Sequence, residues 1–409
     1  MTTAPDTAAI DRFLADHLCD WLDCREDWLW YSILAVSEAL REGHSCLNLA
    51  YWAGASAWAT DDDPGYRFPE LDDWLGKLHK LPIGPEDLAP LVLERQRLYL
   101  RRYWRFETEL AGSIAGRLEP VSIEGPEGAR DSLARLFPGM QQGAQTDWQA
   151  VAAANALFQK LSVIAGGPGT GKTFTVTRLL ALLAETEPPG NDSPLRIRMA
   201  APTGKAAQRL GESVREARQS LADAVPAETL TLIPEEATTL HRLLGVIPHQ
   251  VHFRHNRDNP LALDVLLVDE VSMIDLPMMT RLFRALPDHA RVILLGDPDQ
   301  LPSVAAGSVL ADLAPRPHPG YSAQRQQQLS QLGLSVETGN TCSADYLSYL
   351  YLSRRFSDSG GIGKLARQVM DGDAEGSLET LKTEEDGLAW IEPEQASEQI
   401  EHWASQWYA

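Results

Sequence analysis

Long apolar runs, cysteine and positive charge are all scarce in this sequence, and each shortage removes a class of protein. No apolar stretch in the 409 residues approaches the ~20 needed to span a bilayer, so no membrane partner is expected. The first residues, MTTAPDTAAIDRFLADHL, have neither the basic start nor the continuous apolar segment of a secretory signal, and the expected compartment is the cytoplasm. Four cysteines occur, Cys19, Cys24, Cys46 and Cys342, placed too irregularly for a disulfide framework and without a C-x-x-C pair. They read as core thiols rather than metal ligands. With 36 Lys and Arg against 57 Asp and Glu, the formal net charge is −21, which taken alone argues against a protein that coats nucleic acid. The acids, however, cluster at residues 61–63, 70–73 and 384–386, whereas bases gather between Arg196 and Arg257. Local charge therefore decides the partner question.

What the chain does contain is organised around residues 161–183, LSVIAGGPGTGKTFTVTRLLALL. An apolar run enters a glycine-rich stretch and leaves it at helical spacing, which predicts strand, phosphate loop and helix. The spacing G-x-x-x-x-G-K-T is complete across Gly166, Gly167, Pro168, Gly169, Thr170, Gly171, Lys172 and Thr173. The glycines let successive backbone N–H groups turn toward an anion, and the following helix adds the partial positive charge of its N-terminus. Lys172 is expected to reach the β- and γ-phosphates of ATP, and the Thr173 hydroxyl to bind Mg²⁺.

Two further apolar strands end in chemistry. VLLVDE, residues 265–270, places Asp269 to hold Mg²⁺ and Glu270 to orient or deprotonate the attacking water. GDPDQLPSV, residues 296–304, offers Gln300, an amide that can accept from that water and donate to the terminal phosphate. Buried strands followed by helices, with functional residues at the strand carboxyl ends, predict an open α/β parallel sheet with ligands at its crest.

Around that nucleotide-binding core the chain divides by composition. Residues 1–110 are expected to form an all-helical domain rich in tryptophan, whose aromatics either pack a core or present a docking face for another subunit. Residues 94–107 predict a helix with a basic, aromatic face. Residues 111–146 read as a connector with one short helix at 129–136. Residues 147–314 are expected to form the first ATPase domain, with a basic hairpin insertion near 246–260. His249, His252 and His255 there alternate faces on a strand, which disfavours a metal site. The Gln-rich residues 315–344 predict a mobile insertion, after which structure is expected to resume at Asp345.

The stretches DEVS at 269–272, GDPDQLPSV, PTGKAA at 202–207, TLHRLLG at 239–245 and LSRRF at 352–356 together resemble superfamily 1 DNA helicases. More narrowly, with EALREGHSCLNL at 38–49 and RLYLRRYW at 97–104, the chain resembles the RecD family, the alpha subunit of exodeoxyribonuclease V. The likeness covers nearly the whole chain and is weakest over 315–342. It implies two RecA-like motor domains, the first over 147–314 and a second, incomplete one over 345–409, and an ATP-dependent helicase moving 5′ to 3′ in a helicase–nuclease complex that processes double-strand breaks. It implies as partners single-stranded DNA, double-strand DNA ends, and the beta and gamma subunits of such a complex. It further implies that Gln149 contacts adenine, that Thr203, Lys205 and His241 touch single-stranded DNA, that Gln300 couples the γ-phosphate to that contact, and that Arg355 serves as an arginine finger. Because the chain ends at Ala409 soon after the second motor domain begins, it is expected to bind ATP but unwind poorly alone. A nucleotide-gated, non-translocating assembly subunit is the alternative.

Overall fold

The structure is a computed structural model and describes residues 7–60, 63–123, 125–141, 146–186, 194–336, 343–351, 360–383, 388–391 and 393–407. Cys342, Arg355 and the LSRRF stretch fall outside them.

The N-terminal region opens with α1 (Ala9–Trp21) and α2 (Asp27–Arg41), which pack side by side. Asp11, fully buried between them, accepts from Ser37 Oγ at 2.7 Å and from Arg41 Nη2 at 2.5 Å, so its charge is matched where water cannot reach it. There follow β1 (Leu47–Asn48), α3 (Leu49–Trp52), β2 (Ser56–Ala57), β3 (Tyr66–Arg67) and α4 (Leu71–Leu78). Trp74 on α4 is wholly buried, stacks on Phe68 and donates its indole N–H to Ser32 Oγ at 2.9 Å. Trp28, Trp30, Trp52 and Trp58 pack around the same core, whereas Trp21 is exposed.

The stretch expected as one helix over 94–107 is divided. Alternating apolar residues instead pair β4 (Leu91–Glu94) with β5 (Arg97–Leu100) as an antiparallel hairpin, joined by β1 on its other edge. The turn is made by Arg95 at φ 56°. The helix begins only at α5 (Arg101–Ala115), where buried Arg101 donates to the carbonyls of Gly84, Pro85, Ala89 and Leu91. That helix crosses the domain boundary expected at 110. The helical region is thus interleaved with small antiparallel sheets and runs without a break into the next unit.

The expected connector contributes α6 (Pro126–Leu136), whose Leu133 and Leu136 enter the core of the parallel-sheet domain. Then come α7 (Trp148–Ala156), β6 (Leu161–Gly166), α8 (Lys172–Thr186), β7 (Ile197–Ala201), α9 (Gly204–Ser220), α10 (Ala227–Leu232), β8 (Thr238–Thr239) and α11 (Leu240–Leu244). They are followed by β9 (Val265–Val268), α12 (Leu276–Ala285), β10 (Arg291–Gly296), α13 (Val309–Leu313), α14 (Ala323–Gln331) and β11 (Leu347–Leu350). Six strands form one parallel sheet in the order β11-β6-β10-β9-β7-β8. β6, β9 and β10 are buried throughout, because helices cover both faces, and their sequences accordingly lack polar alternation. The segment between α11 and β9 is a turn-rich excursion closed by an isolated antiparallel bridge between Val246 and Phe253.

Two expectations are corrected. Residues from 345 do not open a second domain at once: β11 joins the first sheet, pairing Leu347 with Val163 and Leu350 with Gly166. Among the described residues, the α-helices beyond that sheet are α15 (Gly361–Met370), α16 (Ala374–Lys382) and α17 (Ala396–Trp407). Nor is the described part of 315–344 a surface excursion. Arg325, 1% exposed on α14, donates to the carbonyl and side-chain oxygens of Asn155 at 2.9 and 2.8 Å, lies over the Phe158 ring, and carries Leu329 into the core. Low average hydrophobicity concealed this, because a single buried guanidinium that finds enough acceptors can anchor a helix. No helix among the described residues is long and apolar enough to cross a membrane.

Arg325→Ala would leave buried Asn155 Oδ1 without its donor, while the Asn155 carbonyl keeps the Phe158 N–H, so the variant is expected to lose about 2–4 kcal/mol of stability in chemical denaturation. In limited proteolysis, wild-type α14 should resist as long as the sheet; early cleavage within α14 would instead restore the mobile-insertion reading.

Candidate functional site

The site forms where β6 ends and α8 begins. Gly169 and Gly171 adopt φ of 77° and 83°, conformations that cost a side-chain-bearing residue free energy. A Cβ on Gly166 would meet Thr170 Oγ1 at 2.7 Å and the Leu350 carbonyl oxygen at 3.2 Å, so only glycine lets the loop pass between its own turn and β11. Thr170 is buried and donates its hydroxyl to the Gly167 carbonyl at 2.9 Å. Lys172 Nζ donates to the carbonyls of Gly166 at 2.6 Å and Gly167 at 3.1 Å, so its ammonium sits across the loop's mouth. Thr173 occupies the second position of α8. Gln149, in the first turn of α7, donates from Nε2 to the Thr170 carbonyl at 3.0 Å and thereby braces the loop.

Asp269 and Glu270 follow β9, two strands from β6 in the sheet. Burial pushes the Asp269 carboxyl up to about 6; the neighbouring Glu270 charge adds to the rise, while the Glu270 backbone N–H at 2.9 Å and the Lys172 charge oppose it. A carboxylate desolvated to this degree suits a cation. With the Thr173 hydroxyl available at the loop, the donor set is hard oxygen, as a magnesium ion accompanied by phosphates requires. Glu270 is held at φ 53°, a strained conformation for a residue with a side chain.

Gln300 is exposed on the loop after β10, with its N–H donating to the Asp297 carbonyl at 3.2 Å. A cavity of about 490 Å³ opens beside the loop and is lined by Gly166, Gly167, Pro168 and Asp297 on one side and by α15 on the other.

The remaining predicted residues share a neighbouring part of the crest. β7 and β8 pair in parallel through Ala201 and Thr239, so the residues that follow them emerge together. Thr203 caps α9 by accepting from the Ala206 N–H at 3.2 Å, and Lys205 is exposed one residue into that helix. His241 is exposed on α11, with its ring edge-on to Phe253 at 5.9 Å. Arg209, Arg242 and Arg254 are also exposed, whereas Arg257 pairs with Glu109 of α5 at 3.1 Å. Sequence reasoning missed the buried Asp297 and the Arg316 that lines the cavity. GDPDQ held the signal for the first; nothing local marked the second.

Residues 7–99 match the family model for the RecBCD enzyme subunit RecD, N-terminal domain, and residues 149–306 match that for an AAA domain. The chain is 40% identical over 349 residues to the RecBCD enzyme subunit RecD of Haemophilus influenzae, covering 82% of this chain and 53% of that protein. It is 41% identical over 360 residues to the protein of the same name from Mycolicibacterium smegmatis, covering 88% and 56% respectively. The ATP-dependent RecD2 DNA helicase of Deinococcus radiodurans is 39% identical over 218 residues, 53% of this chain and 26% of that one. The chain therefore spans little more than half the length of the two RecD subunits.

The buried carboxylate gives the site a pH signature. Because the Asp269 carboxyl titrates higher in the folded chain than in the unfolded one, the folded state pays for ionising it, and the penalty grows as pH rises from about 4 to about 6. Asp269→Asn should therefore unfold at a higher temperature than wild type at neutral pH, by on the order of 1–2 kcal/mol. The two proteins should converge below pH ~4, where the wild-type carboxyl is protonated. A less stable Asp269→Asn protein at pH 7.5 would contradict the assignment of strain to this charge.

Proposed function

The chain belongs to the RecD family, and from that premise we propose that it is the ATP-hydrolysing motor part of a DNA helicase subunit. It would translocate 5′ to 3′ on single-stranded DNA, in the cytoplasm, within a helicase–nuclease complex that acts on double-strand ends in repair and recombination. One observation carries this reading: a phosphate loop, a buried carboxylate and a cluster of exposed bases stand together at the carboxyl ends of one parallel sheet.

Each residue then has a task. The amides of residues 166–171 cradle the phosphates, and Lys172, now held by two loop carbonyls, exchanges those weak acceptors for phosphate oxygens. Gln149, already fixed against Thr170, stands where adenine would be contacted. Asp269 and the Thr173 hydroxyl would hold Mg²⁺, which neutralises charge on the phosphates when bound. Glu270 orients or deprotonates the attacking water, and Gln300 couples the terminal phosphate to the DNA contact. Arg355 is the candidate arginine finger. Thr203, Lys205 and His241 contact the strand, and Lys205, Arg209, Arg242 and Arg254 supply the local positive charge that the chain as a whole lacks. Opening a duplex works against stacking of ~1.4 kcal/mol per step on average, which repeated hydrolysis can supply and binding alone cannot.

The N-terminal region, carried through α5, is the proposed docking unit for the beta and gamma subunits, and the first RecA-like motor domain, expected over 147–314, extends through α14 to β11. Likeness to an ATP-dependent helicase across 53% of the chain supports a motor over a purely nucleotide-gated assembly role.

Lys172→Ala should abolish DNA-stimulated ATP hydrolysis while leaving the melting temperature of the nucleotide-free chain nearly unchanged; undiminished turnover would remove the assignment. Lys205→Ala should weaken single-stranded DNA binding for all sequences alike and lower the slope of log affinity against log salt by about one. An unchanged slope would move the DNA path elsewhere.

A further inference from the structure

The loop carrying Gln300 is held on two sides. Its own Asp297 closes it from within: Oδ1 accepts from the Asp299 N–H at 3.1 Å and the carbonyl from the Gln300 N–H at 3.2 Å. From outside, Arg316 Nη1 lies 2.5 Å from Asp299 Oδ2, one residue before Gln300. The same guanidinium rests over the Tyr349 ring, 5.2 Å from its centroid, and Tyr349 is fixed by donating its hydroxyl to the Ala314 carbonyl at 2.7 Å. Tyr349 stands on β11 in register with Ala165, immediately before the phosphate loop. Arg316 also lines the cavity of about 490 Å³ together with Gly166, Gly167 and Pro168. One cation therefore borders the phosphate cradle, the Gln300 loop and the edge strand at once.

We infer that Arg316 is a positioning residue that links the terminal phosphate of a nucleoside triphosphate to the Gln300 loop, by sharing its guanidinium between that phosphate and Asp299. The inference rests on the ATPase reading above and deepens it. A guanidinium presents five N–H donors in a planar fork, which suits two oxyanions simultaneously, whereas an ammonium is a point charge. The aromatic platform keeps the fork at the cavity wall. The neighbouring His318 does not compete: its Nδ1 accepts from the Gly320 N–H at 2.8 Å, its Nε2 lies 3.1 Å from the Leu347 carbonyl, and burial lowers its pKa, so the ring is a neutral Nε2–H tautomer. Among the described residues, the other guanidinium lining the cavity, Arg367, belongs to α15 on the opposite wall. A triphosphate takes up part of the Arg316 fork while Asp299 keeps the rest, and so shifts the tether on Gln300. A diphosphate lacks the terminal anion and leaves the tether in place.

The test is the affinity of the full chain for ADP and for a non-hydrolysable β,γ-imido ATP analogue, each with Mg²⁺, alongside DNA-stimulated hydrolysis. Arg316→Ala should lose about tenfold in affinity for the triphosphate, the worth of one charge-assisted hydrogen bond, with ADP affinity unchanged. Arg316→Lys should recover only part of that loss. Asp299→Asn should keep the preference for triphosphate but lower the stimulation of hydrolysis by DNA, since the tether rather than the phosphate contact is cut. Equal weakening of both nucleotides, no weakening of either, or the same selective loss in Arg367→Ala would overturn the inference, while a Lys172→Ala protein that no longer hydrolyses ATP would leave the ATPase reading standing. If Arg316→Ala does not fold, the Arg316→Lys and Asp299→Asn measurements decide. Absence of nucleotide binding by the wild-type chain would sink both.

Discussion

A carboxylate at the end of a wholly buried strand is the constraint from which the motor half follows. Asp269 is desolvated because β9 sits in the middle of a parallel sheet with helices on both faces, and a sheet of that kind exposes its polar residues only at its ends. Ionising Asp269 there is unfavourable unless a cation arrives, and the fold has put Lys172 and the hydroxyl-bearing start of α8 on the same crest. Stability is thereby given up at one point so that binding recovers it, which is the usual relation between a strained site and its ligand. The φ of 53° at Glu270 belongs to the same arrangement, since it turns the chain sharply between the strand and the single 3-10 turn at Val271–Met273.

The second organising feature is the way the N-terminal region grips the motor. α5 is fastened at its start by Arg101, which donates to four carbonyls of the N-terminal region, and along its length by the motor: Thr280 of α12 donates to the Phe106 carbonyl at 3.1 Å, and Arg284 pairs with Glu109. Glu109 also holds Arg257, so one acid on this helix ties α12 to the basic excursion beside the proposed DNA path. A further tie reaches the segment that follows Gln300: the Gly307 N–H donates to the Gly43 carbonyl at 2.9 Å, three residues beyond the GDPDQLPSV stretch. The N-terminal region, joined in this manner, is mechanically continuous with the loop that carries Gln300.

The limits of legibility follow from where each signal resides. The phosphate loop was readable because glycine spacing is a local requirement of backbone geometry. β6, β9 and β10 were readable because a short unbroken apolar run that stops at a glycine or an acid is the pattern of a strand covered on both faces. Residues 94–107 were misread because basic and aromatic residues satisfy helical and strand periods alike over so short a window, and the pairing of β4 with β5 decided between them. The segment containing α14 was misread because averaging over glutamines hides Arg325 and Leu329, the two residues that seat it.

By itself the sequence determined which apolar runs become β6, β7, β9 and β10, the glycine-rich turn between β6 and α8, and the acids that follow β9, since all of these depend on neighbours within a few residues. The tertiary structure alone decided that β11 closes the first sheet, that Arg325 points inward, and that Arg316 reaches the cradle's wall. The reason is common to all three: the partners Val163, Asn155 and Asp299 are far enough away along the chain, or reached by so irregular a path, that no periodicity relates them. Charged and edge-strand groups in particular are placed by whatever distant acceptor or pairing partner offsets their desolvation, and that partner is known only once the chain has folded.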